Sequence, residues 1–183
     1  MSTSYDLPEV DRFTTGTVGP PGDRVFYLQA VAGGHVVTLR LEKVQVAALA
    51  QYLAQLLADL PPPDPQQLPD QLDLVEPVVA EWVVGQLGVG FDEDRDRMLI
   101  RADEAAAAEP DDEEGEESLL DEPAGAGTDA ANARFALTRP QVAAFVVHAA
   151  SVVAAGRPPC PLCRRPLDPE GHVCVKTNGH RAR

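Results

Sequence analysis

The strongest constraint on the fold is an internal similarity between two segments 96 residues apart in the chain. Residues 41–57 read LEKVQVAALAQYLAQLL, and residues 137–153 read LTRPQVAAFVVHAASVV. The tetrapeptide QVAA occurs in both, followed by a large apolar residue. Because similarity at a fixed long period is typical of duplicated supersecondary units, the chain is predicted to contain two copies of one unit.

Each copy has strand signals before its helix. GTVG at 16–19 precedes RVFYLQA at 24–30, and GQLG at 85–88 precedes RMLIRA at 97–102. Aromatic and β-branched residues favour pleated strands, and the glycines of AGGH favour a hairpin turn before HVVTLRL. We therefore predict an α+β fold in which two β-β-β-α repeats form a pseudo-symmetric antiparallel sheet, with both helices on one face.

The two predicted helices have apolar residues at helical spacing, which indicates core packing. Thr138 precedes Gln141 by three residues, the spacing of a capping box, and Pro140 suits a first helical turn. The expected core positions are Val46, Leu49, Leu53, Leu56, Leu57 and Leu60 in the first helix, and Val142, Phe145, Val146, Ala149, Val152 and Val153 in the second.

The organisation along the chain follows from composition. Prolines make 61–77 a semi-rigid linker, and residues 102–133 hold twelve acids without Lys or Arg, which predicts a disordered or mobile insertion. The predicted units are a first repeat at 1–60, the linker at 61–77, a second repeat at 78–156 carrying the insertion 102–133, and a tail at 157–183.

The net charge of −14 comes largely from that insertion, because the remaining residues have 17 acids and 15 bases. The start of the chain lacks the pattern of a secretory signal, and its longest apolar run, 142–155, is too short to span a bilayer. We therefore expect a cytoplasmic protein without a membrane partner. Thiols stay reduced there, so clustered cysteines indicate metal binding more than disulfides.

All three cysteines lie within fifteen residues, in the pattern Cys160-x2-Cys163-x8-His172-x-Cys174. Thiolates and imidazole are the ligands of closed, four-coordinate structural zinc sites. The pattern predicts a zinc knuckle that folds the tail around Zn²⁺, with iron as the alternative metal. His180 is an alternative fourth ligand.

Four blocks carry a family resemblance: FTTGTVGPPGDRVFYLQA, LEKVQV, EWVVGQLGVGFDED and GRPPCPLCRRPLDPEGHVCVKTNG. They resemble a family of actinobacterial proteins that carry a domain of unknown function and the name "repeat protein". The resemblance implies a cytosolic actinobacterial protein in which Cys160, Cys163, His172 and Cys174 form the matched cluster. In these relatives an aromatic residue, typically Tyr, corresponds to His180, which disfavours His180 as the ligand.

A second candidate site is an anion site. Arg24, Gln29 and Lys43 are polar residues in otherwise apolar segments and could donate to a phosphate. The alternative is that Lys43, with Glu42, only caps and charges the first helix. The glycines 85, 88 and 90 are followed by a strand rather than a helix, so we interpret them as bulges and turns and not as a dinucleotide loop.

The function predicted from these features is a non-enzymatic cytosolic zinc-binding protein that acts as a binding or adaptor module for a protein partner. One alternative is a nucleic-acid-associated protein that uses the basic tail residues Arg164, Arg165, Lys176, Arg181 and Arg183. Another is an enzyme or binder for a phosphorylated or nucleotide ligand through Arg24 and Lys43.

Overall fold

The structure is a computed structural model, and it describes residues 2–106, 130–156, 160, 162–163, 172–173 and 181–182. These residues form a mixed α+β fold with one seven-stranded sheet, two helices and a separate two-stranded hairpin. The elements are β1 (Tyr5–Leu7), β2 (Arg12–Val18), β3 (Val25–Ala32), β4 (His35–Leu41), α1 (Lys43–Ala58), a short 3-10 helix (Pro65–Gln67), β5 (Trp82–Asp92), β6 (Arg97–Glu104), β7 (Asn132–Leu137), α2 (Arg139–Ala154), β8 (His172–Val173) and β9 (Arg181–Ala182).

The sheet has the order β1-β7-β6-β5-β4-β3-β2 and is mixed, whereas a purely antiparallel sheet was expected. Four pairs are antiparallel, but β4 pairs with β5, and β1 pairs with β7, in parallel. The expectation was wrong on this point because a connection that contains a whole helix, as between β4 and β5, returns the chain in the same direction.

The sheet is strongly curled. Its two edge strands, β1 and β2, are separated in the chain only by residues 8–11. Seven flat strands would place the edges about 29 Å apart, whereas this connection can span at most about 18 Å. The inner surface encloses one core, where the Phe13 ring lies 5.4 Å from the Phe135 ring and 5.0 Å from the Phe145 ring.

The two halves of the sheet have matching registers. Leu28 pairs with Leu39 as Ile100 pairs with Phe135, so β3 and β4 correspond to β6 and β7. In the same way, Gly16 faces Tyr27 as Gly90 faces Leu99, so β2 corresponds to the later part of β5. The buried inner residues occupy matching positions in the two halves: Phe26 and Met98, Leu28 and Ile100, Ala30 and Ala102, Leu39 and Phe135, Leu41 and Leu137, Val46 and Val142, Leu49 and Phe145.

Both predicted helices are confirmed, except that α1 ends at Ala58, so that Leu60 lies beyond the helix although it packs against the core. Thr138 and Gln141 form the capping box of α2, with the Thr138 amide 2.8 Å from Gln141 Oε1, and Pro140 lies in the first turn. Gln45 makes the equivalent contact with the Glu42 amide in α1. The side chains of Val46, Leu49 and Leu53 in α1 and of Val142, Phe145 and Ala149 in α2 are buried in the shared core.

The turn predictions also hold. Gly33 and Gly34 connect β3 to β4 with φ angles of 56° and 84°, which a two-residue hairpin turn requires and which glycine adopts without strain. Gly85 lies at a register shift between Val84 and Gln86, and Gly88 and Gly90 lie within β5, in agreement with bulges and strands. Among the helices in the described residues, neither is long and apolar enough to cross a membrane.

Candidate functional site

The outer surface of the first half of the sheet is closed by residues 72–75, which belong to the proline-rich linker. Thr14 donates from its hydroxyl to the Leu72 carbonyl. Gln29, fully buried, accepts from the Val75 amide at 2.7 Å and donates to the Val75 carbonyl at 3.1 Å. Its side-chain amide also donates to the Thr38 hydroxyl. Residues 72–75 of the predicted linker therefore cover the outer surface of the first half without forming a strand.

Gly16 makes this close cover possible. A β-carbon on Gly16 would lie 2.6 Å from Cγ of Leu74, well inside any normal contact distance. Gly16 is buried, and the Leu74 side chain occupies the space above it. The first half thus has a polar row, Thr14–Gln29–Thr38 in register across β2, β3 and β4, beside a glycine slot filled by leucine.

The corresponding surface of the second half is an open groove of about 500 Å³. Gly88, Arg101 and Arg134 occupy the positions that correspond to Thr14, Gln29 and Thr38, in register across β5, β6 and β7. All three residues are exposed. Gly90, which corresponds to Gly16, is also exposed, and a β-carbon there would meet nothing within 4 Å. We call this surface, lined by Gly88, Gly90, Leu99, Arg101 and Arg134, the arginine groove.

The arginine groove has a small net positive charge, because its three arginines are partly offset by Asp6 in the lining and by Asp103 beside it. Arg101 and Arg134 are directly opposite each other on neighbouring strands, an arrangement in which like charges repel. Arg101 forms an ion pair with Asp103 at 2.8 Å, and Asp6 is the register partner of Arg134 on β1. Arg95 adds a third guanidinium to the lining. A bound carboxylate would relieve the repulsion and accept hydrogen bonds from both strands.

The structure gives the residues of the predicted anion site other partners. Arg24 donates to the Ala155 carbonyl, and the Lys43 ammonium lies 3.4 Å from where a β-carbon on Gly156 would be. Both cations therefore lie at the C-terminal end of α2, where free carbonyls and the helix dipole favour positive charge. Gln29 lies five residues further along the strand from Arg24, about 16 Å away at normal strand rise, and binds Val75. Arg24 and Lys43 are brought together, but Gln29 is not.

A comparison with known protein families assigns the chain to one of them. A family model described as "Protein of unknown function (DUF3090)" matches residues 5–174. The chain belongs to the DUF3090 family. The DUF3090 match spans both halves of the sheet and extends to Cys174, so it includes all four predicted metal ligands and ends before His180. No curated protein and no solved structure matches the chain.

The predicted zinc ligands are only partly described. Cys160 is 1% exposed, and Cys163 is half-buried in a turn with Leu162. His172 is the first residue of β8, which pairs in antiparallel fashion with β9. Cys174 and the alternative ligand His180 lie outside the described residues. Within the described part of the chain, no three metal-ligating side chains form a group.

The nucleic-acid alternative depends on basic tail residues that mostly lie outside the described residues, namely Arg164, Arg165, Lys176 and Arg183.

Most of the acidic insertion 102–133 also lies outside the described residues. The two ends of this range belong to strands, because β6 extends to Glu104 and β7 begins at Asn132. The Glu104 carboxylate joins these ends, accepting from the Ser2 hydroxyl and, at 3.0 Å, from the Ala131 amide. The hydrogen bond from Ser2 is the main cause of a lowered pKa at Glu104, and the hydrogen bond from Ala131 adds to it.

Sequence reasoning missed the arginine groove. Arg101 and Arg134 are 33 positions apart, and their proximity depends on the strand register across the insertion. One signal was present in the sequence: aligning LQA at 28–30 with IRA at 100–102 places Gln29 at the position of Arg101. That difference, a neutral residue in one half and a cation at the matching position of the other, distinguishes the two outer surfaces by charge.

Proposed function

We propose that this chain is a non-enzymatic cytosolic binding protein of the adaptor type, whose tail is folded by one structural zinc ion and whose sheet docks a protein partner. The observation that carries the zinc assignment is the near-complete burial of Cys160 with Cys163 in a turn three residues later. A Cys-x2-Cys turn followed by a β-hairpin is the usual way in which small domains present two pairs of zinc ligands.

The proposed ligands are Cys160, Cys163, His172 and Cys174. The family match includes all four and ends at Cys174, which supports His172 rather than His180 as the histidine ligand. Four protein ligands leave no coordination position for water, so the metal would stabilise structure rather than catalyse a reaction. A tail of this length has too few apolar residues for its own core, and metal binding would supply its folding free energy.

We further propose that the two halves are copies of one duplicated β-β-β-α unit. The support is the matched pairing register of β3–β4 and β6–β7, together with the QVAA repeat at the start of both helices. In such a duplication, one copy can keep its outer surface closed for stability while the other binds a partner. An exposed, charged groove on a rigid sheet is consistent with a binding role.

The metal proposal is tested by measuring zinc content of the purified protein by mass spectrometry. We expect one zinc per chain in the unmodified protein and in His180→Ala, which is the matched control. Cys163→Ser and His172→Ala are expected to lose the metal and to expose the tail to protease. Full zinc in Cys163→Ser would refute the site, and loss in His180→Ala with retention in His172→Ala would reassign the ligand.

The adaptor proposal is tested by affinity capture of the tagged chain from its native cytosol, with and without nuclease. A stoichiometric protein partner that survives nuclease and is lost in Arg101→Glu/Arg134→Glu supports it. Material that disappears with nuclease but is still captured by the groove variant would instead support the basic tail as a nucleic-acid contact. Capture that is unchanged in the groove variant would contradict docking on the sheet.

A further inference from the structure

The two helices lie against the inner face of the sheet at matching positions. α2 lies beside β2, and α1 lies beside β5. Gln141 of α2 donates to the Val10 carbonyl, and Gln45, its counterpart in α1, donates to the Val84 carbonyl. Val10 and Val84 are 74 positions apart, the same offset that relates β2 to the later part of β5. The α2–β2 and α1–β5 interfaces can therefore be compared residue by residue.

The α2–β2 interface is filled by aromatic rings. Phe13 of β2 lies 5.0 Å from Phe145 of α2 and 5.4 Å from Phe135 of β7, measured between ring centroids, and all three are buried. His148 adds a second contact between the helix and the strand, because its Nε2 lies 2.9 Å from the Thr15 carbonyl oxygen. The chain's own side chains thus occupy the space between this helix and its strand.

The α1–β5 interface has smaller side chains and contains a groove. Each of the three phenylalanines is matched there by a leucine, with Leu87 at the position of Phe13, Leu49 at that of Phe145 and Leu39 at that of Phe135. A space of about 480 Å³ lies between the helix and the strand. We call it the leucine groove, and its main lining residues are Ala48, Leu49, Tyr52, Gln86, Leu87 and Val89.

The exposure of matching residues shows the same difference between the two interfaces. Phe13 is 1% exposed, whereas its counterpart Leu87 is only half-buried. Ala144 is buried in the α2–β2 interface, whereas its counterpart Ala48 is exposed. The Tyr52 ring on the same helix face is 48% exposed. The leucine groove is therefore open to solvent at positions that the α2–β2 interface fills.

The lining of the leucine groove determines what it can hold. No charged side chain is among the described residues that line it, so a neutral occupant is favoured, because an unpaired charge is costly to bury. The Tyr52 ring and the leucines favour a flat apolar group, since contacts between aromatic rings stabilise beyond the area that they bury. The Gln86 amide can both donate and accept, which suits one polar substituent such as a hydroxyl.

We propose that the leucine groove binds a neutral small molecule through an aromatic ring, which takes the position that the Phe13 and Phe145 rings fill in the other half. The volume of the groove is within the usual range for small-molecule sites. Leu87 and Gly88 are consecutive in β5 and point to opposite faces of the sheet, so this site is separate from the arginine groove. The proposal depends neither on docking of a protein partner nor on zinc.

Titration of the full-length protein with phenol, followed by amide NMR, tests the site, and cyclohexanol is the matched saturated control. Phenol should shift the amide resonances of Ala48 and Gln86 saturably with a Kd of about 1 mM, a reasonable affinity for so small a ligand. The amides of Thr15 and Ala144 in the filled interface should not shift. Cyclohexanol should bind at least about threefold more weakly, because it lacks the ring contact with Tyr52.

Two substitutions fill the groove from opposite sides. Leu87→Phe adds the ring that Phe13 supplies in the other half, and Ala48→Leu adds apolar volume at an exposed helix position where leucine is well tolerated. Each should weaken phenol binding at least about tenfold, because the site is then occupied. Val147→Phe, which adds a ring at a position of α2 that is 73% exposed, should leave the Kd unchanged.

Three results would each overturn the proposal. The first is the absence of saturable shifts up to about 10 mM phenol, which would leave the groove to side chains of a partner. The second is unchanged phenol binding in both Leu87→Phe and Ala48→Leu. The third is equal affinity for phenol and cyclohexanol, which would show that the groove does not select an aromatic ring.

Discussion

The outer surfaces of the two halves of the sheet differ although their strands share one register. In the first half, the polar row centred on Gln29 is buried, and the backbone of Leu72 and Val75 satisfies it. In the second half, the corresponding row is centred on Arg101 and is exposed. The comparison shows that a buried row of polar side chains requires a covering segment, because unpaired polar groups are costly to bury. Exposed arginines remain hydrated, so the same surface needs no cover in the second half.

The largest expected effect comes from filling the glycine slots. Gly16→Val should lower the free energy of unfolding by about 2–4 kcal/mol, because the new methyls collide with Leu74 and displace the cover. The matched variant Gly90→Val meets open space and should lower it by about 1 kcal/mol at most, since valine favours strands. Urea unfolding measures both, and equal losses would show that the two slots do not differ.

The next effect concerns the central residues of the two rows. Gln29→Leu keeps the volume but removes both hydrogen bonds to Val75, which should cost about 1–3 kcal/mol of stability. Arg101→Leu should change it by no more than about 0.5 kcal/mol, because its ion pair with Asp103 is exposed. Thermal unfolding of the two variants compares them directly. A larger loss for Arg101→Leu would contradict the assignment of the covered and the open half.

A smaller difference is expected at the helix ends. Arg139 pairs with Asp96 through Nε and a terminal nitrogen, at 3.1 and 2.8 Å, and also donates to the Pro61 carbonyl just beyond α1. Arg24 lies at the position that corresponds to Asp96 and makes one hydrogen bond, to Ala155 beside the end of α2. Arg139→Ala should therefore destabilise by about 1 kcal/mol and Arg24→Ala by about half as much. The gap, measured by urea unfolding, should shrink in 1 M salt, and a gap independent of salt would contradict this explanation.

The smallest effect is a pH dependence confined to the second half, where Glu104 joins the ends of β6 and β7. Its hydrogen bonds from Ser2 and Ala131 depress the carboxyl pKa. A depressed pKa contributes stability that is present above the unfolded-state pKa and is lost as pH falls through the folded-state pKa. Carboxyl titration by NMR should place the Glu104 transition below that of an ordinary glutamate, and Glu104→Gln should flatten this part of the stability profile. An ordinary pKa for Glu104 would contradict the claim that these two hydrogen bonds stabilise its carboxylate.

The local elements of this fold could be predicted from sequence. The helices, the Thr138–Gln141 capping box and the Gly33–Gly34 turn depend on residues a few positions apart, whose chemistry is visible directly. The parallel pairing of β4 with β5 was not predicted, because it depends on the path of the chain through α1 and the linker rather than on local sequence. The position of residues 72–75 over the sheet was not predicted either, because it depends on backbone hydrogen bonds to Thr14 and Gln29, which are far away in the sequence.

The candidate sites also divide into those that depend on local sequence and those that depend on strand register. The cysteine pattern predicts a metal site from spacing alone, and that prediction awaits the zinc measurement. The predicted anion site combined Arg24 with Gln29 because both lie in one strand segment, but Gln29 binds the linker and Arg24 binds the end of α2. The arginine groove required the register of three strands, and no short stretch of sequence contains it.

The most direct test of the difference between the two halves is the alkylation rate of a cysteine placed at matching positions. Thr14→Cys lies under the cover, and Gly88→Cys lies in the arginine groove. Peptide-level mass spectrometry separates each new thiol from the three native ones. We predict that Cys at position 88 reacts at least about a hundredfold faster, because position 14 reacts only after local opening of the cover. Equal rates in the native protein would contradict a closed first half and an open second half.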